Sequence, residues 1–250
     1  MSWAGLQGKR ALVTGASQGI GEDTCRSLLE QGCTVYGLDC SSATTEHEHY
    51  VHLELNLESS GDIEACFEQY LHRLPCLDYV VNVAGIDPKC NIREAKVELW
   101  NRVVDINLRA YYLVIHHSMN LLAAGKGKSI VNVSSINYQL GLEGRSIYST
   151  TKAGICGLTV GLARELGVEG IRINTVSPGW VFTERQKQEY FNCGDEAKRQ
   201  EYLSHLKKVQ SLDIQVQPRD ISNTILFYLS DLSRACTGGN MVVDGGWILE

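Results

Sequence analysis

The sequence predicts an α/β fold: a single doubly wound domain over residues 1–250, with a parallel sheet covered by helices on both faces. Three observations carry that prediction. Short β-branched runs alternate with longer helical stretches along the whole chain. Strands separated by helices are joined by right-handed crossovers, which put helices on both faces of a parallel sheet. The first apolar run ends in a glycine-rich turn that opens straight into a helical segment. No Pro/Gly/Ser-rich linker and no internal repeat divides the 250 residues, and only four prolines occur.

Ala11-Leu12-Val13-Thr14 reads as the first strand and residues 19–31 as the helix after it. Thr34-Val35-Tyr36-Gly37-Leu38 and Val51-His52-Leu53-Glu54-Leu55 are the second and third strands, with a helix over 62–73. Asp78-Tyr79-Val80-Val81-Asn82 is the fourth strand, followed by one long helical region over 97–124. Ser129-Ile130-Val131-Asn132-Val133 and Arg172-Ile173-Asn174-Thr175-Val176 flank a helix over 147–166, and Met241-Val242-Val243 reads as the last strand. Residues 183–216 are rich in Glu, Gln and Lys, with a break at Asn192-Cys193-Gly194-Asp195. They suggest two helices outside the sheet, acting as a substrate lid.

Composition removes several function classes. The net charge is −6, which argues against nucleic acid as a partner, because phosphates need a basic surface. No apolar run reaches the roughly 18 residues of a membrane span, and the first ten residues lack a basic head followed by an apolar stretch, so no signal peptide is expected. Nine cysteines without a C-x-x-C pair suggest reduced thiols in a cytoplasmic protein rather than disulfides or zinc. His47, His49 and His52 read as a solvated loop, His116-His117 as a helix or subunit surface, and Cys156 as packing.

Thr14-Gly15-Ala16-Ser17-Gln18-Gly19-Ile20-Gly21 lies between the first strand and first helix. Glycines there let the backbone turn tightly and approach a pyrophosphate, which the helix N-terminus attracts. Asp39 follows Gly21 by 18 residues, at the end of the second strand. An acid at that spacing accepts hydrogen bonds from ribose hydroxyls and repels a 2′-phosphate. Gln18, Cys40, Ser41 and Ser42 supply no compensating cation, so NAD is expected over NADP. Tyr148 and Lys152 lie four apart in a helical stretch and so share a face. A neighbouring ammonium stabilises a phenolate and should pull the Tyr148 pKa down toward a useful base. Ser134 and Ser135 both end a strand, and either hydroxyl could hold a substrate oxygen.

Together these residues resemble the short-chain dehydrogenase/reductase family over nearly the whole chain. The marks are Thr14-Gly15-x-x-x-Gly19-x-Gly21, Asn82-Val83-Ala84-Gly85, Asn107, Ser135, Tyr148-x-x-x-Lys152, Pro178-Gly179 and Thr183, with Cys236 to Gly246 fitting the late segment. The resemblance implies a seven-stranded Rossmann sheet, a nicotinamide cofactor and a catalytic set of Asn107, Ser135, Tyr148 and Lys152. The spacing to Tyr148 selects Ser135 over Ser134, and Asn107 would hold a water linking Lys152 to solvent. It implies cofactor contacts from Gly15, Ser17, Gln18, Gly19, Ile20, Gly21, Asp39, Asn56, Leu57, Asn82, Ala84, Gly85, Tyr148, Lys152, Pro178, Gly179, Val181 and Thr183. Two departures stand out: Val83 replaces the family's second Asn, and Asn56 replaces an acid that meets adenine. Such proteins pair helices like those at 97–124 and 147–166 across subunits, and Trp247, Ile248 and Leu249 would be an odd apolar tail in a monomer, so a homotetramer is expected.

The segments Ser134–Glu143 and Pro178–Gln186 resemble those of bacterial aldose 1-dehydrogenases, which oxidise sugars to lactones. Asp87, Asn137, Gln139, Glu143, Arg185 and Gln186 are the candidate hydroxyl-reading residues. Two other readings stand beside this one. The same site could act on a 3-oxoacyl or hydrophobic secondary-alcohol substrate, and a non-enzymatic nucleotide-sensing scaffold could keep the fold. No metal site is expected.

Overall fold

The computed structural model describes residues 3–192 and 194–249. Its strands are β1 (Arg10–Thr14), β2 (Thr34–Asp39), β3 (Tyr50–Glu54), β4 (Tyr79–Asn82), β5 (Ser129–Val133), β6 (Arg172–Pro178) and β7 (Asn240–Val243). They form one sheet in the order β3-β2-β1-β4-β5-β6-β7, with every neighbouring pair parallel. The chain builds outward from β1 in one direction and from β4 in the other. The crevice at such a switch point, outside the strand C-termini, is where this architecture binds ligands. Ala11, Leu12 and Val13 are fully enclosed, as are Val80 and Val81 of β4, because both faces of the sheet are covered.

The helices are α1 (Gly19–Glu30), α2 (Ser60–Gln69), α3 (Val97–Val104), α4 (Ala110–Ala124), α5 (Asn137–Leu140), α6 (Ser146–Gly167), α7 (Glu184–Tyr190), α8 (Glu196–Val209) and α9 (Pro218–Leu229). One apolar layer joins Leu28 and Leu29 of α1 to Ile221, Ile225 and Leu226 of α9 over Val13 and Val35. The opposite layer joins Ile63 and Phe67 of α2, Val114 and Leu122 of α4 and Leu166 of α6 over Leu12, Val80 and Ile130.

The structure differs from the sequence reading in four places. The long helix over 97–124 is broken by a π-helical turn at Asp105–Arg109. Residues 137–140, given no element in the sequence reading, form α5, which stops at Gly141 with a left-handed φ of +62°. The helix over 62–73 is α2, starting at Ser60, followed by a separate 3₁₀ turn at Leu71–Arg73. Finally, α9 was not anticipated, although its start is written in Gln217-Pro218-Arg219-Asp220. The Gln217 and Asp220 side chains cap each other's backbone N–H groups, with Pro218 in the first turn.

The expected lid segment forms α7 and α8. Thr183 and Asp195 cap them through side-chain bonds to Gln186 N and Lys198 N. Trp180 packs edge to face against Tyr190 of α7 and Tyr202 of α8, with ring centroids 4.9 Å and 4.1 Å away. The eight described cysteines are free thiols, and Cys193 lies outside the described residues. Among the described residues no helix is long and apolar enough to cross a membrane, and no three His, Cys, Asp or Glu side chains group as a metal site.

Candidate active site

A cleft of about 1010 Å³ opens along the C-terminal ends of β1, β2, β4, β5 and β6 and under α7. At one end the β1–α1 turn is shaped so that no side chain fits at Gly15 or Gly21. Gly15 has φ +71°, and a Cβ there would lie 2.9 Å from the Ala84 backbone. A Cβ on Gly21 would lie 1.9 Å from the Gly15 carbonyl oxygen. The turn therefore sits directly on the β4 strand end, where Thr14 Oγ1 accepts from Val83 N at 3.0 Å and Ala84 N at 3.3 Å. The first N–H groups of α1 have no partner within the helix and face the cleft rim at Gln18, Gly19 and Ile20.

Asp39 is a buried carboxylate, 7% exposed, rather than a side chain facing water. It accepts from Ser17 N at 3.0 Å and from Ser41 N at 2.9 Å. The acid thus holds the glycine turn against the end of β2 while still lining the cleft. Asn56, Leu57, Ala84, Gly85, Pro178, Gly179, Val181 and Thr183 line the same cleft. Asn56 accepts from Glu58 N with its carbonyl oxygen, which leaves its amide hydrogens as the group to offer a ligand.

Three expected cofactor residues do not line the cleft. Ser17 is buried and gives its N–H to Asp39. Gly21 is buried beneath the turn, where its lack of a side chain is what matters. Asn82 is fully enclosed and donates to Asn132 Oδ1 at 3.0 Å, so its side chain ties β4 to β5.

At the cleft centre, Tyr148 and Lys152 stand one turn apart on α6, beside Ser135. Ser135 stands near enough to Tyr148 to favour its phenolate, and it accepts from Asn137 N at 3.2 Å. Ser134 is committed elsewhere, donating to Lys152 O at 2.8 Å and accepting from the Cys156 thiol. Lys152 donates to Val133 O at 2.9 Å, with Nζ over the Tyr148 ring, 5.5 Å from its centroid.

The expected lowering of the Tyr148 pKa is not found in this arrangement. Burial and the Asp87 charge push the phenol up to about 12, against the opposing pull of Ser135, Arg145 and Arg185. Burial likewise pulls Lys152 down to about 8. Burial is the larger cause in both, and the ammonium is not among the groups that lower the phenol. Asn107 sits in the π turn and does not line the cleft. It donates to Ile86 O at 2.9 Å and accepts from Ile86 N at 2.8 Å, which clamps the segment after β4.

The far end carries Asp87, Asn137, Glu143, Arg185 and Gln186 of the six expected reading residues, whereas Gln139 is exposed and outside the lining. Trp180 Nε1 and Gln186 Oε1 are buried without a hydrogen-bond partner. Such orphaned groups are costly unless something fills them. The sequence reading missed Arg145, Trp180, Tyr190, His205 and Trp247, which also line this end. Trp247 is delivered by a chain turn in which Asp244 accepts from Gly246 N at 2.8 Å and Ile248 N at 2.7 Å. It packs against His205 rather than forming an exposed apolar tail, and only Leu249 is strongly exposed.

Residues 15–248 match the family model for enoyl-(acyl carrier protein) reductase. The chain is 32% identical to the 3-oxoacyl-(acyl-carrier-protein) reductase FabG of Vibrio harveyi, over 96% of this chain and 98% of that one. It is 31% identical to the D-xylose 1-dehydrogenase of Caulobacter vibrioides, over 97% and 96%. Among solved structures, the aldohexose dehydrogenase of Thermoplasma acidophilum superposes with a TM-score of 0.90 at 25% identity, covering 98% of this chain and 96% of that one. A 4-hydroxyisoleucine dehydrogenase complexed with NADH superposes with 0.86 at 30% identity, covering 96% and 98%. The chain belongs to the short-chain dehydrogenase/reductase family and is an NAD(P)-dependent oxidoreductase.

Proposed function

We propose that the protein is a cytoplasmic, NAD-dependent dehydrogenase that oxidises a free aldose at its anomeric carbon to the lactone. The observation that carries the substrate is the far end of the cleft. Asp87, Glu143, Arg185 and Gln186 line the cleft together with Trp180 and Trp247, and Trp180 Nε1 and Gln186 Oε1 are buried unpaired. A hydroxylated ring fills such a site, offering hydroxyls to the polar groups and C–H faces to the aromatic rings. An acyl chain would leave the charged and polar side chains of the lining without partners. Residues 183–216 close over this end as a lid.

The glycine cradle and Asp39 fit NAD. The turn has no room for a side chain at Gly15 or Gly21, the α1 N-terminus offers free N–H groups, and a buried anion at the end of β2 would repel a 2′-phosphate. NAD supplies the acceptor for the hydride from the sugar's C1. Tyr148 takes the proton of the anomeric hydroxyl, which is more acidic than an ordinary alcohol. Ser135 holds that oxygen as it becomes a carbonyl, and the ring oxygen's lone pair stabilises the developing lactone. Lys152 holds the phenol face and the nicotinamide-side ribose, and Asn107 braces the segment that carries Gly85 and Asp87.

Exposed Val97 and Trp100 on α3, Tyr112 on α4 and Val160 on α6 support a homotetramer; a monomeric mass in solution at micromolar concentration would contradict it. The second reading, a 3-oxoacyl reductase, is favoured by the FabG likeness and by the acyl-carrier-protein reductase model that residues 15–248 match. A panel of pentoses, hexoses, 6-deoxyhexoses, hydrophobic secondary alcohols and 3-oxoacyl thioesters, followed by nicotinamide absorbance, tests the choice. Turnover of thioesters with no aldose oxidised overturns the sugar reading.

A further inference from the structure

The residue before α6 and the segment after β4 meet at one ion pair, one residue beyond the Ile86 that Asn107 of the π turn clamps. Arg145 Nη1 contacts the Asp87 carboxylate and donates to Asp87 O at 2.8 Å. Both side chains are about four-fifths shielded from solvent, at 17% and 20% exposure, so water screens the pair weakly. The two segments are also tied by Cys90 N donating to Gly144 O at 3.0 Å. Arg145 is the residue just before α6, three positions ahead of Tyr148, and makes no side-chain cap there. A cation at a helix N-terminus opposes the helix dipole, so helix formation does not explain its presence. Asp87, on the facing segment, does.

We propose that the Asp87–Arg145 pair sets the ionisation of Tyr148, with Arg145 a positioning residue that holds and neutralises the Asp87 carboxylate beside the base. This rests on Tyr148 being the base but not on the sugar substrate. The charged and titratable groups that act on the phenol or lie over its ring are Asp87 from the segment after β4, Arg145 just before α6, Lys152 from α6, Arg185 from α7 and Tyr111 from α4. Asp87 is the anion among those that act on Tyr148, and it disfavours the phenolate, while Arg145 and Arg185 favour it. An Asp87 charge left unpaired would oppose the proton transfer that starts alcohol oxidation. The pair lets the site keep an acid at its polar end without suppressing its base.

The test is the pH dependence of kcat for whichever alcohol in the panel is oxidised fastest, with a deuterated alcohol to establish that C–H cleavage limits the rate. Arg145→Gln should move the rising limb alkaline by about one unit, the usual size for one close charge. At a pH below the limb that is roughly a tenfold loss of rate. Asp87→Asn should move the limb the other way, and Arg145→Gln with Asp87→Asn should return it near its original position. Arg145→Lys, which keeps the charge, should leave the limb in place even if turnover falls. NADH binding and melting temperature show whether each variant is folded, and Asp87→Asn alone still decides the sign if Arg145→Gln does not fold. A limb that stays put in the folded variants, or moves the same way in both, overturns the proposal. Should Tyr148→Phe keep both turnover and limb, the base assignment falls instead.

Discussion

Asp39→Asn separates two tasks that the structure gives to one carboxylate. Asp39 is buried, and it receives Ser17 N at 3.0 Å and Ser41 N at 2.9 Å on different oxygens. Hydrogen bonds to a charged group contribute about 1.5–3 kcal/mol each, less the cost of burying the charge. Asp39→Ala removes both and leaves two N–H groups unpaired, so it should cost about 2–4 kcal/mol. At this chain length that lowers the melting temperature by roughly 5–15 °C. Asp39→Asn keeps one acceptor and the side-chain shape, so its loss should be about half as large. Both substitutions remove the charge that opposes a 2′-phosphate, and the ratio of kcat/KM for NAD to that for NADP should fall in each. Asp39→Asn with Cys40→Arg should then favour NADP, with less damage than Asp39→Ala with Cys40→Arg. Steady-state rates with each cofactor at low concentration, alongside thermal melts, measure both effects. The reasoning fails if the unmodified protein already prefers NADP, or if Asp39→Asn melts normally and keeps its full preference.

Tyr148→Phe should reduce turnover by about 10²-fold or more, the usual general-base contribution, while NADH fluorescence titration shows binding retained. In the unmodified protein, alcohol oxidation should rise from neutral toward alkaline pH, because the phenol starts above its ordinary value. Gly21→Ala puts a methyl 1.9 Å from the Gly15 carbonyl, against backbone that cannot swing aside, so the turn must shift. Cofactor affinity should fall at least tenfold in the same titration, with a melting temperature lower by several degrees. Stability should fall above about pH 9 in thermal melts. Burial raises the Cys33 thiol from 9.0 to about 12 and the Cys66 thiol from 9.0 to about 11, so the unfolded chain sheds these protons first. Their contribution is complete below pH 9 and lost as pH climbs through the folded values.

The fold was legible because a parallel sheet buried on both faces leaves apolar runs that composition alone reveals, as in Ala11–Val13 and Val80–Val81. The glycine turn was legible because only backbone fits between Gly15, Gly21 and Ala84. Less visible was what depends on distant pairing. Asp39 read as a ribose acceptor, but its hold on Ser17 appears only once β2 lies beside the turn. Trp247 read as part of an apolar tail, because nothing local says that Asp244 turns the chain end so that Trp247 lines the cleft. Arg145 lay in plain view three residues before Tyr148, yet its meaning came from Asp87, which is 58 positions away. The Tyr148–Lys152 spacing gave the pair but not the direction of its titration, which burial decides.

The central claim, oxidation at the anomeric carbon, is tested most directly by isotope transfer. The aldose that turns over best in the panel is prepared with deuterium at C1 and incubated with the protein and NAD. The account predicts one deuterium in the reduced nicotinamide ring per turnover, an aldonolactone as the product, and loss of both in Tyr148→Phe. Deuterium retained in the sugar while NADH forms, or reduction of a 3-oxoacyl thioester with no aldose oxidised, would contradict it.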